Sequence, residues 1–151
     1  HAFVNIATAK VATSAHEAYD INVLKEGRDI VIVNGDRRIA EAKKEALRLY
    51  ERGYTRPLER TDITVMGRTA LGGFISGSYG FHFGNYASEH DMKIANKLGY
   101  VMAGGDLHAE TKVSEQYLLD LEREAFLSLL GEKKTLERIE SIIKYGKPLR
   151  N

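Results

Sequence analysis

The sequence predicts a mainly α fold of six or seven helices with one or two short strands. Three observations carry this. Apolar residues recur at helical spacing through several long stretches. Ser, Thr or Asp stands where most of these stretches begin, and glycine where they end. Only one run, Asp29-Ile-Val-Ile-Val33, has the β-branched density of a strand.

Taken in order, Ala2 to Ala12 is apolar with small residues and reads as a buried helix. Ser14 with Glu17 is a regular capping box for a short helix from Ala15 to about Ile21. Val23-Leu24, a turn at Lys25 to Arg28 and then Asp29 to Val33 read as a small hairpin, or as a single strand after a turn. A lone buried strand cannot satisfy its own ladder bonds, so this one needs a partner: its hairpin arm, another copy of the chain, or sequence beyond these residues. Asp36 is placed to cap a helix from Arg37 to Arg52, with Ile39, Ala42, Ala46, Leu49 and Tyr50 on one face and Gly53 closing it.

Tyr54 to Thr64 is polar, contains Pro57 and reads as a linker loop between residues 2–53 and a helical region over 65–151. Val65 to Gly84 is predicted helical despite its glycines, each of which costs about 1 kcal/mol relative to alanine. Gly73 with Gly77, and Gly80 with Gly84, would strip one face of side chains, which suits close helix–helix packing better than a ligand at the backbone.

The best-marked helix follows. Ser88 is its N-cap, Asp91 completes a capping box, and Glu89 and Asp91 place negative charge at the positive end of the helix dipole. Ile94, Ala95, Leu98, Val101 and Met102 form its apolar stripe, and Gly104-Gly105 stop it. Asp106 to Lys112 reads as a loop. Ser114 caps a helix over Glu115 to Leu130, with Leu118, Leu121, Ala125 and Leu129 on its inner side and Gly131 at its end. Thr135 is the expected cap of a last helix, with Leu136, Ile139, Ile142 and Ile143 as its buried stripe and Gly146 and Pro148 as its stop.

The 151 residues suit one domain. A net charge of +1 gives no general electrostatic case for nucleic acid or an anionic membrane. Cysteine is absent, which excludes disulfides, thiolate metal sites and cysteine nucleophiles and fits a reducing cytosol. Val65 to Gly84 carries Arg68, His82 and many glycines, so it makes a poor membrane span.

Motifs for chemistry are sparse. The chain has no dinucleotide fingerprint, no phosphate loop of the Gly-x-x-x-x-Gly-Lys type and no Gly-x-Ser-x-Gly elbow. His90, Asp91, Asp106, His108 and Glu110, with His82, invite a metal reading. Their spacing fits no standard site, and His90 and His108 would lie roughly 25 Å apart along one helix. Caps and solvated loop residues describe them better. Glu122 and Glu124 point to different sides of a helix and read as a solvated face. Lys144, Lys147 and Arg150 read as a solvated tail, with a phosphate-bearing ligand as the main rival.

Beyond these motifs, longer stretches carry a resemblance. Ala87-Ser-Glu-His-Asp-Met-Lys-Ile-Ala-Asn-Lys-Leu through Ala103-Gly-Gly-Asp, the helix from Glu115, and the terminal Gly146-Lys-Pro-Leu-Arg-Asn resemble the C-terminal end of bacterial bifunctional 3-hydroxyacyl-CoA dehydrogenases of fatty-acid β-oxidation. Ala7 to Asp20, with Val23-Leu24 after it, resembles the segment of their crotonase-like, enoyl-CoA hydratase-related part where a short helix leads to a strand and a helix. The resemblance implies that the chain is the helical C-terminal portion of an α/β crotonase-like fold, with residues 2–53 the end of its core. It implies a cytoplasmic, homo-oligomeric parent that uses NAD and an acyl-CoA thioester. The family's oxyanion donors, its hydration glutamates and its NAD-binding part lie earlier in such proteins, so no catalytic residue is carried over and the chain alone is expected to be inactive. Lys147, in Tyr-Gly-Lys-Pro, matches a lysine that reaches a CoA phosphate in related hydratases. The contrasting expectation is an independent helical protein-interaction module.

Overall fold

A computed structural model describes residues 1–151. It contains seven helices and one two-stranded antiparallel sheet. The helices are α1 (Ala2–Ala7), α2 (Ala15–Asp20), α3 (Arg38–Glu51), α4 (Arg68–Phe83), α5 (Glu89–Ala103), α6 (Glu115–Leu130) and α7 (Lys133–Tyr145); the strands are β1 (Ile63–Val65) and β2 (Thr111–Val113). The chain divides into two compact units: Lys10–Leu58 with His1, and Ala2–Ala9 with Glu59–Asn151.

The first unit holds α2 and α3. Ser14 Oγ accepts the Glu17 N–H, as its spacing predicts. The expected reciprocal bond is shifted by one residue: the Glu17 carboxylate takes the N–H and hydroxyl of Thr13 rather than the N–H of Ser14. Asp29 organises the turn before the predicted strand. Its carboxylate accepts the Lys25 N–H at 2.7 Å and pairs with Arg28 at 2.8 Å. No strand follows. Ile30 to Val33 lie outside any helix or sheet, because Val23-Leu24 forms no hairpin arm and an unpaired strand gains no ladder bonds. The start of α3 also differs from expectation. Asn34, not Asp36, supplies the capping oxygen, and it closes a 3₁₀ turn over Gly35–Arg37 before the helix proper begins. Gly53 ends α3 as predicted: at φ +73 it lets the Gly53 N–H reach Tyr50 and the Tyr54 N–H reach Leu49. The apolar face of α3 is not buried, however. No residue of this helix is buried, and Ile39 is 82% exposed.

The second unit is built around α5, which packs against α1, α4 and α6. The buried seam of α5 is Ala95, Gly99 and Ala103, small residues at i, i+4 and i+8, while the predicted stripe is otherwise half-buried. Gly99 explains how close α4 comes: a Cβ there would lie 2.7 Å from Phe74 Cβ. Phe74 in turn stacks on Phe3 of α1, with ring centroids 4.6 Å apart. The glycines expected to make this approach do not make it. Gly73, Gly77 and Gly80 have no neighbour within 4 Å of where a Cβ would stand.

The helix predicted from Val65 starts instead at Arg68, because Val65 belongs to β1. The ladder pairs Ile63 with Val113, Thr64 with Lys112 and Val65 with Thr111. Both strands fall in stretches that read as loop, apart from their last residue. Val65 is buried against the end of α5, where Gly104 takes φ +83 and a Cβ would come within 2.4 Å of Val65 Cγ2. The helix α6 matches its predicted limits, with Leu121 and Ala125 buried. In α7 the expectation is inverted. Glu132 precedes the helix without a side-chain cap, Thr135 lies inside the first turn, and Ile143 of the predicted stripe is 78% exposed. Leu136 and Ile142 are exposed too; the buried residue of this helix is Thr135.

Candidate functional site

The densest set of polar side chains lies in the second unit, where the start of α5 meets α7 and the terminal segment. The capping box fixes its geometry. Ser88 Oγ accepts the Asp91 N–H at 3.1 Å, and the Ser88 N–H reaches Asp91 Oδ2 at 2.9 Å. The other carboxylate oxygen, Oδ1, accepts from Arg138 Nη1 at 2.6 Å. Arg138 then spends its remaining donors on Asn151 Oδ1, the Asn151 carbonyl and Ser88 Oγ. Asn151 also donates to Glu137 and to the Lys134 carbonyl, so the terminal segment is tied back onto α7. One residue before Asp91, His90 is 4% exposed, and its Nε2 shares a 2.9 Å hydrogen bond with Thr135 Oγ1.

These surroundings set the ionisation. Burial pushes the His90 pKa down, and the cations Arg138 and Lys134 push the same way. Burial alone would raise Asp91, but the Ser88 N–H and the Arg138 guanidinium outweigh it and hold the carboxyl below the usual range. At neutral pH the lowered pKa of the buried His90 ring favours the neutral imidazole, beside the Asp91–Arg138 ion pair. This corrects the reading of His90 as a solvated first-turn residue. The helix begins at Glu89, as the Ser88 cap predicts, but position 90 meets Thr135 of α7 instead of solvent.

The other candidates are dispersed. His108 Nδ1 lies 2.9 Å from Arg68 Nη1, and Arg68 also holds Asp106 through a two-pronged ion pair with a shortest distance of 2.6 Å. This exposed cluster ties the start of α4 to the loop after α5, where the Arg68 N–H also meets the Leu107 carbonyl. His82 Nδ1 binds the Ala87 carbonyl. No three of His, Asp and Glu come together in an arrangement that could hold a metal ion. Glu122 and Glu124 are exposed on α6. Of the terminal basic residues, Lys144 pairs with Glu140, and the Lys147 carbonyl accepts from Ser141 Oγ while its side chain is exposed. Arg150 lines a cavity of about 360 Å³ that also borders Asp91, Arg138, Ser78 and Tyr86.

A larger apolar groove of about 550 Å³ runs beside α5 and α6, floored by Ile94, Leu98, Val101, Leu119, Phe126 and Leu129, with Lys97 and Arg123 on its rim. Sequence reasoning named parts of both linings as helix stripes. It missed Arg138 entirely, although an arginine three residues after Thr135 on an otherwise apolar helix face is a usable signal. No helix is long and apolar enough to cross a membrane.

No family model matches this chain. No solved structure is significantly similar to it. The chain is 46% identical over 149 residues, 99% of its length, to a probable 3-hydroxyacyl-CoA dehydrogenase of Bacillus subtilis (strain 168). The match covers 19% of that protein, so the chain is homologous to a segment that spans about a fifth of a probable 3-hydroxyacyl-CoA dehydrogenase.

Proposed function

We propose that this chain is a non-catalytic helical segment of a cytoplasmic 3-hydroxyacyl-CoA dehydrogenase of fatty-acid β-oxidation, the C-terminal part of its crotonase-like portion. Its role is to complete the fold and assembly of a homo-oligomeric parent and to cover the acyl-CoA site. The carrying observation is the similarity along 99% of the chain to one segment of a much longer protein with that printed activity. The site supports the same reading. The buried or half-buried ionisable groups His90, Asp91 and Arg138 are engaged with Thr135, Ser88, Asn151 and one another, which is the chemistry of a structural latch. NAD and the acyl-CoA thioester belong to the parent. Within this chain, Lys147 is the proposed contact to a CoA phosphate; its backbone is held by Ser141 and its ammonium is exposed.

The test uses the Bacillus protein. Deleting its matched segment should make it insoluble or lower acyl-CoA turnover at least tenfold, and grafting this chain in its place should restore both. A deletion variant that stays soluble, keeps its assembly and turns over at the original rate would overturn the role and favour an independent interaction module.

A further inference from the structure

The run Ile30 to Val33 has the composition of a strand and none of its bonds. No backbone N–H or carbonyl of these four residues has a hydrogen-bond partner in the chain. Val33 is 97% exposed, and Ile30 and Val31 are largely exposed too. Four consecutive β-branched residues in water gain nothing from that composition; it fits a strand covered on both faces, as inside a sheet flanked by helices. The flanks agree. Asp29 fixes the turn that leads in, while Asn34 and the 3₁₀ turn lead directly into α3. Between the run and α3 lies an open groove of about 1120 Å³, bordered by Ile30, Val31, Ile32, Ala40 and Leu47. An adjoining strand would fill it with its inward side chains. The helix α3, which buries no residue of its own, would then cover one sheet face.

We propose that Ile30–Val33 is a docking strand that enters a β-sheet supplied by the same polypeptide outside these 151 residues. The source of that sheet rests on the function proposed above: four-fifths of the Bacillus relative lies outside the matched segment. A second copy of the chain answers the requirement less well. Self-pairing would occupy one backbone edge of the run and leave its other edge and the face away from α3 uncovered.

Amide hydrogen exchange tests this. In the isolated chain, Ile30–Val33 should exchange at the rate of unstructured peptide, equally at low and high protein concentration. In the intact Bacillus protein the aligned residues should exchange at least about 100-fold more slowly. The substitution Val31→Pro removes one ladder donor. It should leave the isolated chain's thermal midpoint unchanged within about 2 °C, since no bond is lost there, and lower the soluble yield or turnover of the grafted Bacillus protein at least tenfold. Three results would overturn the inference: fast exchange of the aligned residues in the intact Bacillus protein, protection in the isolated chain that does not depend on concentration, or protection that rises with concentration, which assigns the run to a second copy. An active graft with an unprotected run would remove this inference and leave the proposed function standing. An inactive graft would remove that function, and exchange in the natural Bacillus protein would still decide the strand.

Discussion

Replacing His90 by alanine should destabilise the second unit more than replacing Ser88, although Ser88 is the formal helix cap. Ser88→Ala removes the side-chain acceptor for the Asp91 N–H, a loss of about 1 kcal/mol. His90→Ala strips a buried hydroxyl of its partner, since Thr135 is itself only 8% exposed, and an unsatisfied buried polar group costs about 1–3 kcal/mol. The space left by the ring adds about 1 kcal/mol more. The expected total is about 2–4 kcal/mol, against about 1 for the cap. Urea unfolding at pH 7.5, followed by far-ultraviolet circular dichroism, measures both. A His90→Ala loss equal to or below the Ser88→Ala loss would refute the buried hydrogen bond. The same group predicts a pH dependence. Burial, Arg138 and Lys134 lower the folded-state pKa of His90, so the unfolded chain binds the proton more readily. Its contribution to stability is therefore complete above the unfolded value near about 6.5 and is lost as pH falls through the lowered folded value. His90→Ala should flatten the wild-type decline that begins at about pH 6.5 and leave in place the acid decline from Asp91, which starts below the unfolded carboxylate value of about 3.9 and continues as pH falls through its lowered folded value.

Four further outcomes follow from the same geometry. Gly104→Ala combines a left-handed backbone with a Cβ against Val65, and should cost about 2–4 kcal/mol in the same unfolding assay. Arg138→Met leaves the partly buried Asp91 carboxylate without its cation; a loss of about 2–3 kcal/mol is expected, with the Asp91 pKa, read by carboxyl carbon NMR, moving up. The purified chain should neither hydrate crotonyl-CoA nor reduce NAD with 3-hydroxybutyryl-CoA, and turnover above background in either assay would contradict the non-catalytic reading. In the grafted Bacillus protein, Lys147→Ala should raise KM for CoA thioesters several-fold with kcat unchanged, as loss of uniform binding does; an unchanged KM would remove Lys147 from the CoA site.

Local signals with a short physical range were legible in the sequence. The capping box at Ser88 and Asp91, the closure of α5 at Gly104 and the limits of α6 follow from bonds made within a few residues. What was not legible depends on distant partners. Ile63–Val65 and Thr111–Val113 are strands only because each finds the other across almost 50 residues, and three residues are too few to show a period. The Ile30–Val33 run shows the reverse, a strong strand composition with no partner in the chain. The inner side of α7 was misread because its apolar stripe is the stronger periodic signal, yet Thr135 is what His90 meets. The same cause hid Arg138 from the candidate site: its partners Asp91 and Asn151 are set by how the terminal segment returns along α7.

The second unit is discontinuous in sequence, and this has a kinetic consequence. Its first helix, α1, is separated from the rest by the whole of the first unit, and Phe3 must wait for Phe74 to be synthesised before the two rings can stack. At typical elongation rates of about 5–20 residues per second, α1 spends several seconds outside the ribosome without its partners. Six residues are too few to hold a helix in water during that interval, so α1 should arrive unfolded and fold upon α4 and α5. Closing a loop of about 50 residues costs only about 3–4 kcal/mol in chain entropy, and lengthening it by half would add well under 1 kcal/mol. The joint between Ala9 and Glu59 can therefore accept inserted or rearranged sequence at little cost to the second unit, whereas a change that weakens Phe3 on Phe74 removes one of the contacts that, with those to α5, hold the first helix in place.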